Sequence, residues 1–295
     1  MGGGTYSTSS RMLRSEKMGY TTKSSHEIFT ARSINNAMSP YGVQVRESRD
    51  SEEHPESLAI IVALDVTGSM GSVPHHLVKE GLPKMVSKII QSGIEHPQIL
   101  FLGIGDHECD SAPLQVGQFE SSDELLDKWL TDVYLEGGGG GNDGESYHLA
   151  WYFAAQHTAI DCLEKRNKKG FLFTIGDEPV LKNIPAGTLR NLMGDGQYSN
   201  CSASELLQKA SEKYNVFHIH IRETASGSRP DRIPGWKELM QDNLLVAERH
   251  EEVSQLISDC VVSRAASPMA VASEEAPEAP EATPAEDDTP VEEIL

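Results

Sequence analysis

The chain has 295 residues, with 25 Lys and Arg against 45 Asp and Glu, for a formal charge of −20. Such an acid excess argues against a nucleic-acid partner, because a polyanion is repelled rather than gathered. No run reaches the roughly 18 consecutive apolar residues of a membrane span, and the polar start Met1-Gly2-Gly3-Gly4-Thr5-Tyr6 lacks the apolar stretch of a secretory signal. Cys109, Cys162, Cys201 and Cys260 are too scattered for a disulfide framework, so a soluble, cytoplasmic-type protein is expected.

Three segments of unlike composition follow one another. Residues 1–57 are polar and rich in Ser and Thr, with apolar islands such as Glu27-Ile28-Phe29 and Tyr41-Gly42-Val43 but no sustained periodicity, which predicts an arm that packs only in places. Residues 58–264 alternate strand and helix signals. Residues 265–295 hold nine acids, five prolines and no Lys or Arg, a composition expected to stay disordered because it buries too little to offset ordering entropy.

Within the middle segment, Leu58–Leu64 is a continuous apolar run, the pattern of a strand buried on both faces of a parallel sheet. Val73–Ile94 carries Leu77, Leu82, Met85, Val86, Ile89 and Ile90 at helical spacing. Ile99–Ile104 is the next strand, and Gln115–Phe119 a short alternating one suited to an antiparallel edge. Asp123–Glu136 reads as a helix capped by Ser121 or Ser122, and the glycines 137–141 open into a helix over Tyr147–Lys165. Phe171–Ile175 and Val216–Ile221 read as strands, Ser204–Lys213 and His250–Val262 as helices. Alternation of this kind predicts an α/β fold, doubly wound, with a mainly parallel central sheet flanked by helices and one antiparallel edge strand. Ligands in such folds sit beyond the carboxyl ends of the strands, in the loops after Leu64, Ile104, Ile175 and Ile221.

The first of those loops, Asp65-Val66-Thr67-Gly68-Ser69, sets one carboxylate and two hydroxyls on alternate residues, so a tight turn can aim all three inward. That is too few oxygens for calcium alone but suits magnesium, which keeps several waters. Asp177 ends another parallel strand on the same sheet edge, and Asn142-Asp143-Gly144-Glu145-Ser146 follows the glycine loop there. Three separated segments offering oxygens make a divalent-cation site the sharpest reading.

These residues carry a resemblance. Asp65-x-Thr67-x-Ser69 resembles the Asp-x-Ser/Thr-x-Ser opening of the metal-ion-dependent adhesion site in von Willebrand factor A domains, and Gly140 to Ser146 resembles the Gly-Gly-x-Asp-x-Pro-Glu loop of one branch of that family, without its proline. Thr174-Ile175-Gly176-Asp177-Glu178-Pro179 is similar to the family's strand ending in aspartate and proline. Over residues 58–264 the resemblance implies a metal set of Asp65, Thr67, Ser69, Asp143 and Asp177, with Asn142 or Ser146 as alternatives in the third loop. It also implies magnesium (or manganese or calcium) as the ion and a protein partner that offers an Asp or Glu side chain to it. Intracellular bacterial proteins resembling this family often partner MoxR-type AAA+ ATPases, as adaptors or assembly factors.

Other readings compete. Asp65 and Asp177 are also the residue types that cap helices and turns. Asp65-Val66-Thr67-Gly68-Ser69 looks like the phosphorylation loop of P-type ATPases without its lysine, and a haloacid-dehalogenase phosphatase needs a carboxylate where Thr67 stands. His107, Glu108, Cys109 and Asp110 are expected to shape a rim, and His218 and His220 to be a packed pair on one strand face. A binding module rather than an enzyme is expected; the alternatives are a metal-assisted phosphohydrolase and a structural subunit of a larger assembly.

Overall fold

The computed structural model describes residues 4–137 and 142–266. The glycines 138–141 and nearly all of the acidic tail (residues 267–295) lie outside the described residues, so the expectations for both go no further here.

Six strands form the central sheet: β1 (Leu58–Asp65), β2 (Pro97–Ile104), β3 (Leu114–Val116), β4 (Gly170–Gly176), β5 (Tyr214–Ile221) and β6 (Leu244–Ala247). Their order across the sheet is β3-β2-β1-β4-β5-β6, parallel throughout except for β3, which runs antiparallel at the edge. The fold class is therefore the expected one, down to the antiparallel edge strand. Every residue of β1, β2 and β4 is buried, which is why these strands read as unbroken apolar runs instead of alternating ones. Phe173 on β4 pairs with Val62 on one side and stacks on Phe217 of β5 on the other, ring centroids 5.3 Å apart. Full burial of such a ring contributes roughly 1.5–3 kcal/mol.

From β1 the chain first moves outward to β2 and β3, then crosses back over β1 to β4, β5 and β6. The direction of winding thus reverses between β1 and β4, and the crevice beyond their carboxyl ends is the ligand position of doubly wound sheets. Asp65 is the last residue of β1, and Asp177 the first beyond β4.

The periodic stretch after Asp65 is helical but not uniform. Ser72–His76 is α-helical, Leu77–Gly81 is a π-helical turn, and α-helix resumes over Leu82–Gln91. Pro83 has no amide hydrogen to give a carbonyl one turn back, and the wider turn lies directly ahead of it. The helix expected over Tyr147–Lys165 is instead Tyr147–Gln156, followed by a three-residue strand, Thr158–Ile160, and a short helix, Asp161–Glu164. The break has a partner: Thr158–Ile160 pairs in parallel with Arg46–Ser48 of the N-terminal arm.

The arm itself contains a helix, Thr8–Met18, that periodicity does not reveal. Ser7 caps its start, and Gly19 closes its end in the left-handed region at φ 68°. The face it buries is ionic. Arg11, 1% exposed, lies 3.2 Å from Asp127, and Tyr20 donates to the same carboxyl at 2.8 Å, while Met12 and Leu13 on the helix are 66% and 68% exposed. Arg14 pairs with Asp123 on the same helix, Asp123–Thr131.

A second ionic staple holds the arm's end. Asp161, 2% exposed, accepts from Arg49 at 2.8 Å and from the Asp50 amide at 2.8 Å, and pairs with Lys165 at 2.6 Å. Burial pushes its carboxyl up, but these donors outweigh burial and hold it down at about 2. Asp161→Ala should cost on the order of 3 kcal/mol and expose residues 46–50 to limited proteolysis. Because the folded group sits below its ordinary value, its contribution is complete above about pH 4 and fades as pH falls through about 2. The urea midpoints of wild type and variant should therefore converge in acid.

Among the described residues no helix is long and apolar enough to cross a membrane.

Candidate metal centre

The turn after β1 is held by its own side chains. The Thr67 amide and hydroxyl both donate to Asp65 Oδ1, at 2.9 and 2.6 Å, and the Met70 amide closes the turn onto the Thr67 carbonyl. Ser69, exposed at the mouth, donates to Asp177 Oδ1 at 3.3 Å, which ties the first loop to the end of β4. The other oxygen of Asp65 accepts from the Tyr147 hydroxyl at 2.8 Å. That hydroxyl passes directly over Gly176, where a Cβ would stand 1.8 Å from it. Burial first, then the charges of Asp65, Asp177 and Glu145, keeps the Tyr147 phenol protonated far above its ordinary range, so it remains a donor.

Two further carboxylates belong to the cluster. Asp106, fully buried in the loop after β2, accepts the Glu108 amide through Oδ1 and donates its own amide to Asp110. Glu145 is 5% exposed and fixed by backbone on both sides, its amide donating to the Pro179 carbonyl and its carbonyl accepting from Leu181. Ser146, next to it, donates its amide to the Gly105 carbonyl and takes the His107 amide on its hydroxyl. The segment 145–146 is thereby clamped between the loops after β2 and β4.

The electrostatics are those of uncompensated acid. None of Asp65, Asp106, Glu145 and Asp177 is in an ion pair among the described residues, although all four are buried. Asp177 Oδ2, Asp106 Oδ2 and Glu145 Oε2 are buried and have no hydrogen-bond partner. Burial raises the Asp65 carboxyl to about 7 against the pull of the Thr67 hydroxyl, with the Asp177 charge adding to the rise. Burial likewise pushes Glu145 up to about 10, helped by the charges of Asp65, Asp110, Asp106 and Glu178. Each orphaned oxygen costs on the order of 1–3 kcal/mol if nothing pairs with it. A divalent cation, satisfied by hard oxygen donors, is the kind of group that removes this penalty. No three of the four carboxylates place oxygens within 4.8 Å of one another, so an ion would have to draw them together with Thr67, Ser69 and water.

Of the residues expected at the metal, Thr67 is bonded to Asp65 and Ser69 to Asp177, and the two carboxyls are close enough for the Asp177 charge to raise Asp65. Asp143 does not join them. Its carboxylate is 58% exposed and is taken by Arg229 at 3.0 Å and by Arg232 through both oxygens, at 3.0 and 2.5 Å. The Arg232 guanidinium, 1% exposed, also holds Glu178 at 3.0 Å, which braces the rim of the crevice. Of the other third-loop candidates, Asn142 donates to Glu108 and Ser146 is engaged by His107. Glu145, a member of the same motif, supplies the unpaired oxygen instead. His218 and His220 are fully buried; His218 stacks on Trp236 with centroids 3.4 Å apart and meets the Thr174 hydroxyl at 3.0 Å. Burial holds both imidazoles below their ordinary pKa, hence neutral.

No family model matches the chain, and no curated protein matches it. Among solved structures it is similar to the pilus adhesin SpaC from Lactobacillus rhamnosus GG in an open conformation, at 10% identity and a TM-score of 0.46, over 74% of this chain and 31% of that one. It is also similar to the SpRpn10 VWA domain, at 12% identity and a TM-score of 0.40, over 69% of this chain and 93% of that one. A third likeness is to proximal thread matrix protein 1 of the mussel byssus, at 13% identity and a TM-score of 0.36, over 70% of this chain and 48% of that one. The chain spans less than a third of the adhesin's length.

Proposed function

We propose that this chain is a divalent-cation-dependent protein-binding module of the von Willebrand factor A type, a binder rather than an enzyme. The observation that carries the reading is the meeting of Asp65 and Asp177, with Thr67 and Ser69 bonded to them, where the sheet reverses its winding, together with unpartnered buried oxygens on Asp177, Asp106 and Glu145. Asp65, Thr67, Ser69 and Asp177 would hold magnesium, or manganese or calcium, with Asp106 and Glu145 adding charge from the second and third loops. The ion supplies a positive centre that a partner's Asp or Glu side chain can meet on an otherwise acidic surface.

The chain's own groups do the positioning. Thr67 holds one oxygen of Asp65 and Tyr147 the other, and Ser69 joins the first loop to Asp177. Both Asp65 oxygens are thus engaged, and the position two residues on is a hydroxyl, so neither a free nucleophile nor its acid–base partner is offered there. The family resemblance, not any residue of this chain, suggests an intracellular adaptor or assembly factor, with a MoxR-type AAA+ ATPase as the first partner to try.

The test is capture from native lysate with magnesium and then with chelator. Asp65→Ala should abolish magnesium-dependent capture and the magnesium-induced rise in melting temperature while leaving the domain folded. A variant that keeps both would overturn the reading, as would magnesium-dependent turnover of generic phosphate esters by the wild type.

A further inference from the structure

A second cluster of metal-type ligands lies away from the Asp65 crevice, beyond the carboxyl ends of β5 and β6. Glu223 follows β5 by two residues, and His250 and Glu251 stand in the short turn His250–Glu252 that leads into the last helix, Val253–Ala266. One ligand atom from each lies within 4.8 Å of the other two. His250 Nδ1 is 2.5 Å from Glu223 Oε1 and 3.6 Å from Glu251 Oε2, so two carboxylates converge on one imidazole nitrogen that has a single proton to give. The His250 amide also donates to Glu223 at 2.9 Å, which fixes that carboxylate on the cluster.

A second imidazole stands beside the first. His76, on the helix that follows the Asp65 loop, packs edge-on against His250 with ring centroids 5.6 Å apart. His76 and Glu251 line a common cleft of about 290 Å³, with Glu80, Ser254 and Ser258 among its other walls. We propose that Glu223, His250 and Glu251 form a three-ligand transition-metal site of zinc type, its remaining position open to water. In a tetrahedral zinc site with ligands near 2.1 Å, neighbouring donor atoms lie about 3.4 Å apart. The Glu251–His250 separation of 3.6 Å is close to that value, and the Glu223–His250 contact of 2.5 Å needs to open by less than about 1 Å.

Imidazole nitrogen in the donor set separates this site chemically from the all-oxygen crevice: nitrogen favours zinc over magnesium. Arg249 grips Glu251 through both carboxylate oxygens, at 3.1 and 2.9 Å, so an incoming ion competes with a guanidinium for that ligand and binds less tightly than in a site free of it. A bound ion would join the loop after β5 to the start of the last helix.

The experiment titrates zinc chloride into the full chain, stripped of metal, against a competing chromophoric chelator in millimolar magnesium. One equivalent should bind, with affinity reduced roughly tenfold or more in His250→Ala and Glu223→Gln and unchanged in Asp65→Asn. Circular dichroism checks each fold, and Glu251→Gln replaces His250→Ala if the latter does not fold. No uptake by the wild type, affinity undiminished in the folded cluster variants, or loss in Asp65→Asn alone would each overturn the proposal. Because magnesium occupies the other site's role and Asp65→Asn reports on it separately, failure here is distinguishable from failure of the proposed function.

Discussion

Gly176→Ala should be among the most damaging single substitutions in the chain. Its Cβ would stand 1.8 Å from the Tyr147 hydroxyl oxygen and 2.5 Å from Cζ, separations no side chain tolerates. Tyr147 is fully buried and packs edge-on against Trp236 and His218, so the ring has nowhere to retreat. Overpacking of this kind costs about 1–3 kcal/mol, and losing the donor to Asp65 roughly 1.5–3 kcal/mol more. The sum, about 4 kcal/mol, corresponds to a fall of roughly 10 °C in melting temperature for a domain of this size. Tyr147→Phe in the same background removes the oxygen nearest the new methyl and should recover part of the loss in urea unfolding. A Gly176→Ala protein as stable as wild type would mean that Tyr147 does not sit over the end of β4.

Asp177→Asn should move stability the other way. In chelator the wild type keeps Asp177 buried close to Asp65, with one oxygen unpartnered and no ion pair among the described residues. An amide of the same shape retains the acceptor for Ser69 and removes the charge that opposes the ionised form of Asp65. Relief of about 2 kcal/mol is expected, or roughly a 5 °C higher melting temperature without metal. With magnesium the order should invert, because the variant loses a charged ligand and with it most of the stabilisation that binding confers. A variant less stable than wild type in chelator would show that the acid cluster is internally satisfied and needs no ion.

What could be read from the sequence, and what could not, follows from the range of the interactions involved. Strands β1, β2 and β4 are buried on both faces, and burial of that kind writes itself as a largely continuous apolar run within one segment, which β5 interrupts with Asn215, His218 and His220. The capping of Asp123–Thr131 by Ser122 is equally local, through the Leu125 amide at 3.3 Å. The helix Thr8–Met18 is not legible because its buried face is built from Arg11 and Arg14 against Asp127 and Asp123, more than a hundred residues away. The break at Thr158 depends on a parallel strand from the arm, again at a separation of more than a hundred residues.

The same distinction runs through the site. Asp65, Thr67 and Ser69 signal themselves by spacing alone, and Asp177 by following a strand. Asp143 and Glu145 are two residues apart in one motif, and nothing local decides which of them turns inward. Arg229 and Arg232, almost ninety residues later, decide it by drawing Asp143 to the rim, while the backbone bonds to Pro179 and Leu181 fix Glu145 inside. Asp106 begins the loop after β2, and its membership of the cluster was open to the topology argument; its burial and unpaired oxygen were not.

The most direct measurement is calorimetric titration of magnesium, then manganese and calcium, into the metal-stripped full chain and into Asp65→Asn. The expected result is a single binding event in the wild type with at least one of the three ions, and none in the variant at the same concentrations. A wild type silent toward all three, or a variant that binds as the wild type does, would contradict a cation site built on Asp65 and Asp177.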